Sequence, residues 1–182
     1  MAHVRCRWCN LKNPLYVAYH DSEWGIPQHD DRKLFELLLL ESFQAGLSWE
    51  TILNKRRNFA AAFDAFDPNL IQHYGIEKIQ SLMNDPTIIR NRRKIEAVIR
   101  NAGVFLGIQK EWGSFDSYIW HFTLGEPIYE ISQVTSSLSD CISADLKERG
   151  MRFVGSTIIY SYLQAIGIIY SHDSDCFLHK DA

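Results

Sequence analysis

Six residues of the kinds that bind metal ions sit near the two ends of the chain: Cys6, Cys9 and His20 at one end, His172, Cys176 and His179 at the other. Thiolate and imidazole suit tetrahedral zinc. Each end alone offers too few well-spaced ligands, but one pair from each would make a Cys2His2 site stapling the termini together. The leading set is Cys6, His20, His172 and Cys176. With all four positions filled by protein, a structural zinc adds folding free energy and leaves no coordination position for a substrate. The plainer alternative is that terminal Cys and His are incidental. An iron–sulfur cluster needs four clustered thiolates, and Cys141 and Cys176 lie far in sequence from the Cys6 and Cys9 pair.

A second group combines carboxylates with aromatic rings: Tyr16, Tyr19, Asp21, Glu23 and Trp24 in one segment, then Glu41 and Trp49. Glu41 is the odd residue. It follows four consecutive leucines and so lies in or close to the core, where an ionised carboxylate is costly unless hydrogen-bonded or paired with a cation. Helix glutamates are more often solvated or capping a neighbour. The functional alternative is a pocket carboxylate with Tyr19 and Trp49 as flat faces for a planar, positively charged ligand.

A third candidate is the segment 147–157, Lys-Glu-Arg-Gly-Met-Arg-Phe-Val-Gly-Ser-Thr, between two expected helices. Its glycines permit a tight turn whose backbone N–H groups, with the next helix's N-terminus, can grip a phosphate. Alone, such a segment is usually a connection. The basic clusters at 55–57 and 90–94 add weight, because phosphate binding wants separated cations as well as a backbone anchor.

These groups must be positioned by helices. Asp30 and Asp31 can cap a helix that is apolar on nearly every side from Leu34 to Phe43 and ends near Gly46. Ser48 can cap the next. Asp67-Pro68 and Asp85-Pro86 each set a capping carboxylate before a proline, which predicts two more starts. From Ile88 to Leu106 the apolar residues keep helical spacing, with Arg90, Arg92, Arg93, Lys94 and Arg100 forming a basic face. A short helix is expected over 140–149 and another after Gly155, with 126–134 irregular or briefly extended. The expectation is an all-α chain of about seven to nine helices, folded as one unit over residues 1–182.

The composition agrees with such a unit. The chain has 182 residues, 46% hydrophobic and 23% charged, with a formal net charge of -3, which excludes disorder and collagen-like repeats. No stretch reaches the length of a membrane span. The charged, Cys-containing N-terminus does not read as a secretory signal, so the expected compartment is cytoplasmic and disulfides are not expected.

The chain resembles one family from Arg5 to Cys176: the bacterial DNA-3-methyladenine glycosylase I family of the helix-hairpin-helix superfamily. The resemblance rests on Arg5-Cys6-Arg7-Trp8, on the segment 14–25 from Pro-Leu-Tyr to Glu-Trp-Gly, and on Gln44-Ala45-Gly46-Leu47-Ser48-Trp49. It continues in Ile88-Ile89-Arg90-Asn91-Arg92, in the segment 149–155 and in the closing pair His172 and Cys176. It implies a monofunctional enzyme that removes 3-methyladenine from alkylated double-stranded DNA by flipping the damaged nucleotide into a pocket, leaving an abasic site. It also implies Glu41 as the base-contacting carboxylate and candidate catalytic group, and Tyr19 and Trp49 as the aromatics around the base. A structural zinc is implied on Cys6, His20, His172 and Cys176. The DNA-binding hairpin matches Gly150, Arg152, Phe153, Val154 and Gly155. The family lacks the aspartate that its superfamily relatives place after the hairpin, and none is nominated. A monomer working on DNA in the bacterial cytoplasm, at the nucleoid, is expected. The competing reading is a zinc-stapled protein that binds damage without cleaving. This sequence departs from the family pattern in a Cys6 to His20 interval one residue longer, with Cys9 inside it as a rival ligand. It also departs at Ser42 and Phe43, and at Thr87 and Arg93.

Overall fold

The computed structural model describes residues 3–180, and among these the chain is mostly helical. The α-helices in chain order are α1 (Pro14–Ser22), α2 (Asp31–Gln44), α3 (Trp49–Ala62), α4 (Pro68–Ile71), α5 (Ile76–Asn84), α6 (Arg92–Trp112), α7 (Phe115–His121), α8 (Ser137–Glu148) and α9 (Ser156–Ala165). A 3-10 turn, Asp64–Phe66, separates α3 from α4. Two short strands, β1 (Ile128–Tyr129) and β2 (Ile169–Tyr170), pair in parallel with Ile128 opposite Ile169. No helix among the described residues is long and apolar enough to cross a membrane.

Helix α2 is the axis of the core. Asp30 caps it by accepting the Lys33 N–H at 2.9 Å, and every residue from 34 to 43 is buried. A helix apolar on all sides has to be surrounded, and α2 packs against α3, α6, α7 and α9. Its first residue also starts a neighbour: the Asp31 carboxylate accepts the backbone N–H groups of Phe115 and Asp116 at 2.9 and 2.8 Å, satisfying donors that the first turn of α7 leaves open.

Ser48 and Asp67-Pro68 begin α3 and α4 as their sequence predicts. Asp85-Pro86 does not begin a helix. The Asp85 carboxylate instead accepts the N–H of Thr87 at 2.8 Å and its hydroxyl at 2.6 Å, closing a local turn. Helix α6 starts later, at Arg92, where the Asn91 side chain accepts the Lys94 N–H at 3.2 Å. Ile88 and Ile89 therefore lie in the connection, with Ile88 buried by tertiary packing rather than by helical periodicity. Helix α8 starts three residues before Asp140, because Ser136 and Ser139 form a reciprocal capping box.

The link from α9 to β2 is tightly fitted. Gly167 has φ +77°, and a Cβ there would come within 2.4 Å of the backbone at Ile26 and Pro27. Gly167→Ala is accordingly expected to destabilise the fold by roughly 3 kcal/mol or more, measured by urea denaturation, since both the backbone and its neighbour would have to move.

Candidate active site

Glu41 lies on α2 with its side chain buried, and among the described residues its Oε2 has no hydrogen-bond partner. It faces a cavity of about 270 Å³ whose walls include Trp8, Tyr16, Tyr19 and Trp24 as well as Trp49. Burial pushes the Glu41 carboxyl up to about 8, far above the ordinary carboxylate range. The Tyr19 and Trp49 rings stand 5.2 Å apart at 45°, and the buried Trp49 Nε1 also lacks a partner. An acid, an indole donor and two aromatic faces thus converge on one space with polar atoms left open, an arrangement suited to a flat ligand carrying its own polar edge.

Neighbouring elements fix these side chains. Ser48 caps α3 through the Thr51 N–H, which sets Trp49 in the first turn. The Arg56 guanidinium grips both Glu23 oxygens at 2.6 and 2.7 Å and Glu36 at 2.7 Å, tying α3 to the end of α1 and to α2. Arg56 therefore belongs to an internal ion-pair network and not to an open basic cluster at 55–57. Lys55 is likewise engaged, donating to the Thr87 carbonyl at 2.8 Å.

Lys94 corrects the reading of the α6 basic face in the same way. Its side chain is buried, and its ammonium donates to the carbonyls of Phe43 and Ala45 at 2.8 and 2.6 Å. It caps the C-terminal end of α2, where carbonyls lack helical partners and a cation complements the dipole. Lys94→Met should cost about 2 kcal/mol by leaving those carbonyls unpaired. Thermal unfolding would show this, and weaker Trp49 fluorescence quenching by a purine would show the turn into α3 loosened.

The metal candidates also come together. The ligand atoms of Cys6, His20, His172 and Cys176 all lie within 4.8 Å of one another, and all four residues are buried. Cys6 Sγ is 3.4 Å from His172 Nδ1, and Cys176 Sγ is 3.5 Å from His20 Nε2 and 3.6 Å from His172 Nδ1. His20 turns its other nitrogen to Asp21 at 2.8 Å, and Asp21 is held in turn by Arg5. Such a carboxylate behind an imidazole is what orients a ligating histidine. The cluster can hold a metal ion. Cys9 falls outside it, with its thiol near the Tyr16 carbonyl, so of the two N-terminal cysteines it is Cys6 that lies beside His20, His172 and Cys176. The metal cluster and the cavity share a wall: Trp8 packs against His20 and Trp24 against His172, with ring centroids 5.2 and 4.8 Å apart.

The segment containing Gly150, Arg152, Phe153, Val154 and Gly155 connects α8 to α9. Gly150 and Phe153 take positive φ, Met151 and Val154 anchor in the core, and the Ser143 hydroxyl donates to the Val154 carbonyl at 2.7 Å. Arg152 is exposed.

Residues 8–179 match the methyladenine glycosylase family. The chain belongs to that family. DNA-3-methyladenine glycosylase 1 of Escherichia coli (strain K12) is 43% identical over 180 residues, covering 94% of this chain and 95% of that protein. Among solved structures, a crystal structure of 3-methyladenine DNA glycosylase I matches with a TM-score of 0.93 at 43% identity, covering 97% of this chain and 100% of the other. A variant of 3-methyladenine DNA glycosylase I in complex with 3-methyladenine matches with a TM-score of 0.92 at 34% identity, covering 97% and 98%.

In this methyladenine glycosylase the far wall of the cavity is supplied by Ser132 and Gln133 after β1, by Ser161 and Gln164 on α9, and by Ser171. Sequence reasoning missed these. The signal was available in α9, where beyond the first turn Ser161 and Gln164 are polar at a three-residue spacing among apolar and aromatic residues, marking one face turned toward something other than core.

Proposed function

We propose that the chain is a monofunctional DNA-3-methyladenine glycosylase, acting as a single unit and a monomer on alkylated double-stranded DNA in the bacterial cytoplasm, at the nucleoid. The observation that carries this is the buried, unpartnered Glu41 carboxyl facing a purine-sized cavity between aromatic rings. A base inside a duplex cannot reach such a space, so the damaged nucleotide must leave the stack, at a cost of a few kcal/mol.

N3-methylation makes the base cationic and a good leaving group. As the C1′–N9 bond breaks, its electron pair neutralises the purine, water oxygen bonds to C1′, and the released proton passes to solvent, leaving an abasic site. The task of the pocket is then selection. The Tyr19 and Trp49 faces attract a cation, and Glu41 hydrogen-bonds the purine edge and compensates its charge. The unpaired Trp49 N–H is a further donor for that edge.

The turn carrying Gly150, Arg152, Phe153, Val154 and Gly155 forms the hairpin of a helix-hairpin-helix unit. Helix α9 starts with no side-chain cap, which leaves first-turn N–H groups for a DNA phosphate. Cys6, His20, His172 and Cys176 would hold zinc. The sulfur to nitrogen separations of 3.4 to 3.6 Å suit it, since a tetrahedral ion with ordinary zinc bond lengths sets ligands about 3.6 Å apart. With four protein ligands the ion supplies folding free energy and no reactive position.

The decisive experiment is chromatography of the bases released from methylated duplex DNA. Release of 3-methyladenine with an abasic strand as co-product is expected. Tight binding to damaged DNA with no released base would replace this reading with damage recognition alone.

A further inference from the structure

Of the eleven arginines, Arg5, Arg32, Arg56 and Arg149 face carboxylates at 2.6 to 3.0 Å, and Arg7 and Arg92 face them at 3.4 Å. Arg57, Arg90, Arg93, Arg100 and Arg152 make no ion pair among the described residues, and the last three of these gather in one place. Arg93, Arg100 and Arg152 are exposed and border one groove of about 580 Å³ between α6 and the turn at residues 150–153. Arg93, Ala97 and Arg100 are spaced four and three residues apart, so α6 presents them on one face. Glu96 also borders the groove, and its carboxylate is engaged by Arg92 at 3.4 Å on the same helix.

The turn is locked to this face by the backbone. The Asn101 side chain accepts the Arg152 N–H at 2.8 Å and donates to the Arg152 carbonyl at 2.9 Å, pairing with the turn as a strand would. Arg100 Nε donates to the Gly150 carbonyl at 2.5 Å, which uses one of five guanidinium N–H groups. The guanidinium sits so close that a Cβ at Gly150 would come within 2.9 Å of it. Three like charges around one groove repel one another, and an anion that enters relieves that repulsion.

We propose that the groove between α6 and the 150–153 turn is a second phosphate site, which seats a backbone phosphate of the DNA strand beside the hairpin and extends the DNA interface onto Arg93 and Arg100. The proposal rests on the DNA reading above. DNA is favoured over a small anion because the groove is open, continuous with the proposed hairpin, and lacks a buried donor set that would enclose a free ligand. Bidentate guanidinium contacts suit phosphodiester oxygens, and such contacts position the duplex without reading its sequence.

The test is the salt dependence of undamaged duplex binding by the full-length protein, followed by fluorescence anisotropy. Each lost phosphate contact reduces the slope of log K against log salt by about 0.9. Arg93→Ala is expected to flatten the slope by about that amount and weaken binding severalfold, while Glu96→Gln should shift binding the other way. Quenching of tryptophan fluorescence by 3-methyladenine should be unchanged in both, since neither residue borders the base cavity. A parent that binds duplex DNA while Arg93→Ala and Arg152→Ala keep its slope would remove the groove and leave the glycosylase reading standing. A parent with no salt-dependent DNA binding would sink both. Millimolar inorganic phosphate that binds the parent but not Arg93→Ala, with the DNA slope the same in the two, would reassign the groove to a free anion.

Discussion

Glu41→Gln is expected to abolish base excision and, above neutral pH, to make the folded chain harder to unfold. The two effects have one cause. The Glu41 carboxyl is fully enclosed, and burial alone moves it from 4.5 to about 8. A carboxyl raised in the folded state contributes stability that is complete below its unfolded value and is lost as pH rises toward the folded one. The wild-type chain therefore loses stability between about pH 4.5 and about pH 8, at up to about 1.4 kcal/mol for each pH unit, a few kcal/mol in all. Glutamine keeps the shape and never ionises, so the gap between variant and parent should be small at pH 5 and wide at pH 8.5 in urea denaturation. A gap that does not change with pH would show that Glu41 is ionised in the empty pocket. The proposed function inverts the preference: a cationic methylated purine would supply the missing partner, and the acid would give up its proton as the base enters. Binding of a permanently charged methylated purine should strengthen with pH, by up to about tenfold per pH unit below pH 8. Glutamine cannot release a proton or balance the charge, so base release should fall to near background while helical content is kept.

What the sequence disclosed about this site followed from how local each signal was. Asp30, Ser48 and Asp67 act on N–H groups two or three residues ahead, so their helix starts were readable from spacing alone. Asp85 shows the limit of that logic. An aspartate before proline serves a tight turn as well as a helix start, and the burial of Ile88 belongs with the turn. Lys94 and Arg56 read as surface cations because nothing nearby in sequence pairs with them. Their partners, the carbonyls of Phe43 and Ala45 and the carboxylates of Glu23 and Glu36, are 20 to 51 residues away. Glu41 was legible because a carboxylate directly after four leucines conflicts with burial, and such conflicts mark sites. The far wall from Ser132 to Ser171 was not, because it depends on the β1 and β2 pairing, four residues that bring a loop against α9.

Removal of the proposed zinc should be the other large perturbation, and it should act on the fold before it acts on the pocket. Elemental analysis of the purified chain is expected to find one zinc per molecule. The proposed ligands come from positions 6, 20, 172 and 176, so a bound ion would close a loop spanning nearly the whole chain. Without it, two buried thiols and two imidazoles face one another with no cation to satisfy them. Structural zinc binding amounts to about 10 kcal/mol or more in small zinc domains. If even half is retained here, chelation or Cys176→Ala should lower Tm by roughly 10 to 20 °C at this chain length. Cys9→Ala, outside the cluster, should leave metal content at one and Tm within a few degrees of the parent. Because the Trp8 and Trp24 rings lie between the ligands and the base cavity, partial metal loss should weaken purine binding by loosening the aromatic wall. Re-addition of zinc should restore it. Protein isolated free of metal, and indifferent to chelators in its unfolding, would leave the staple to hydrogen bonds alone.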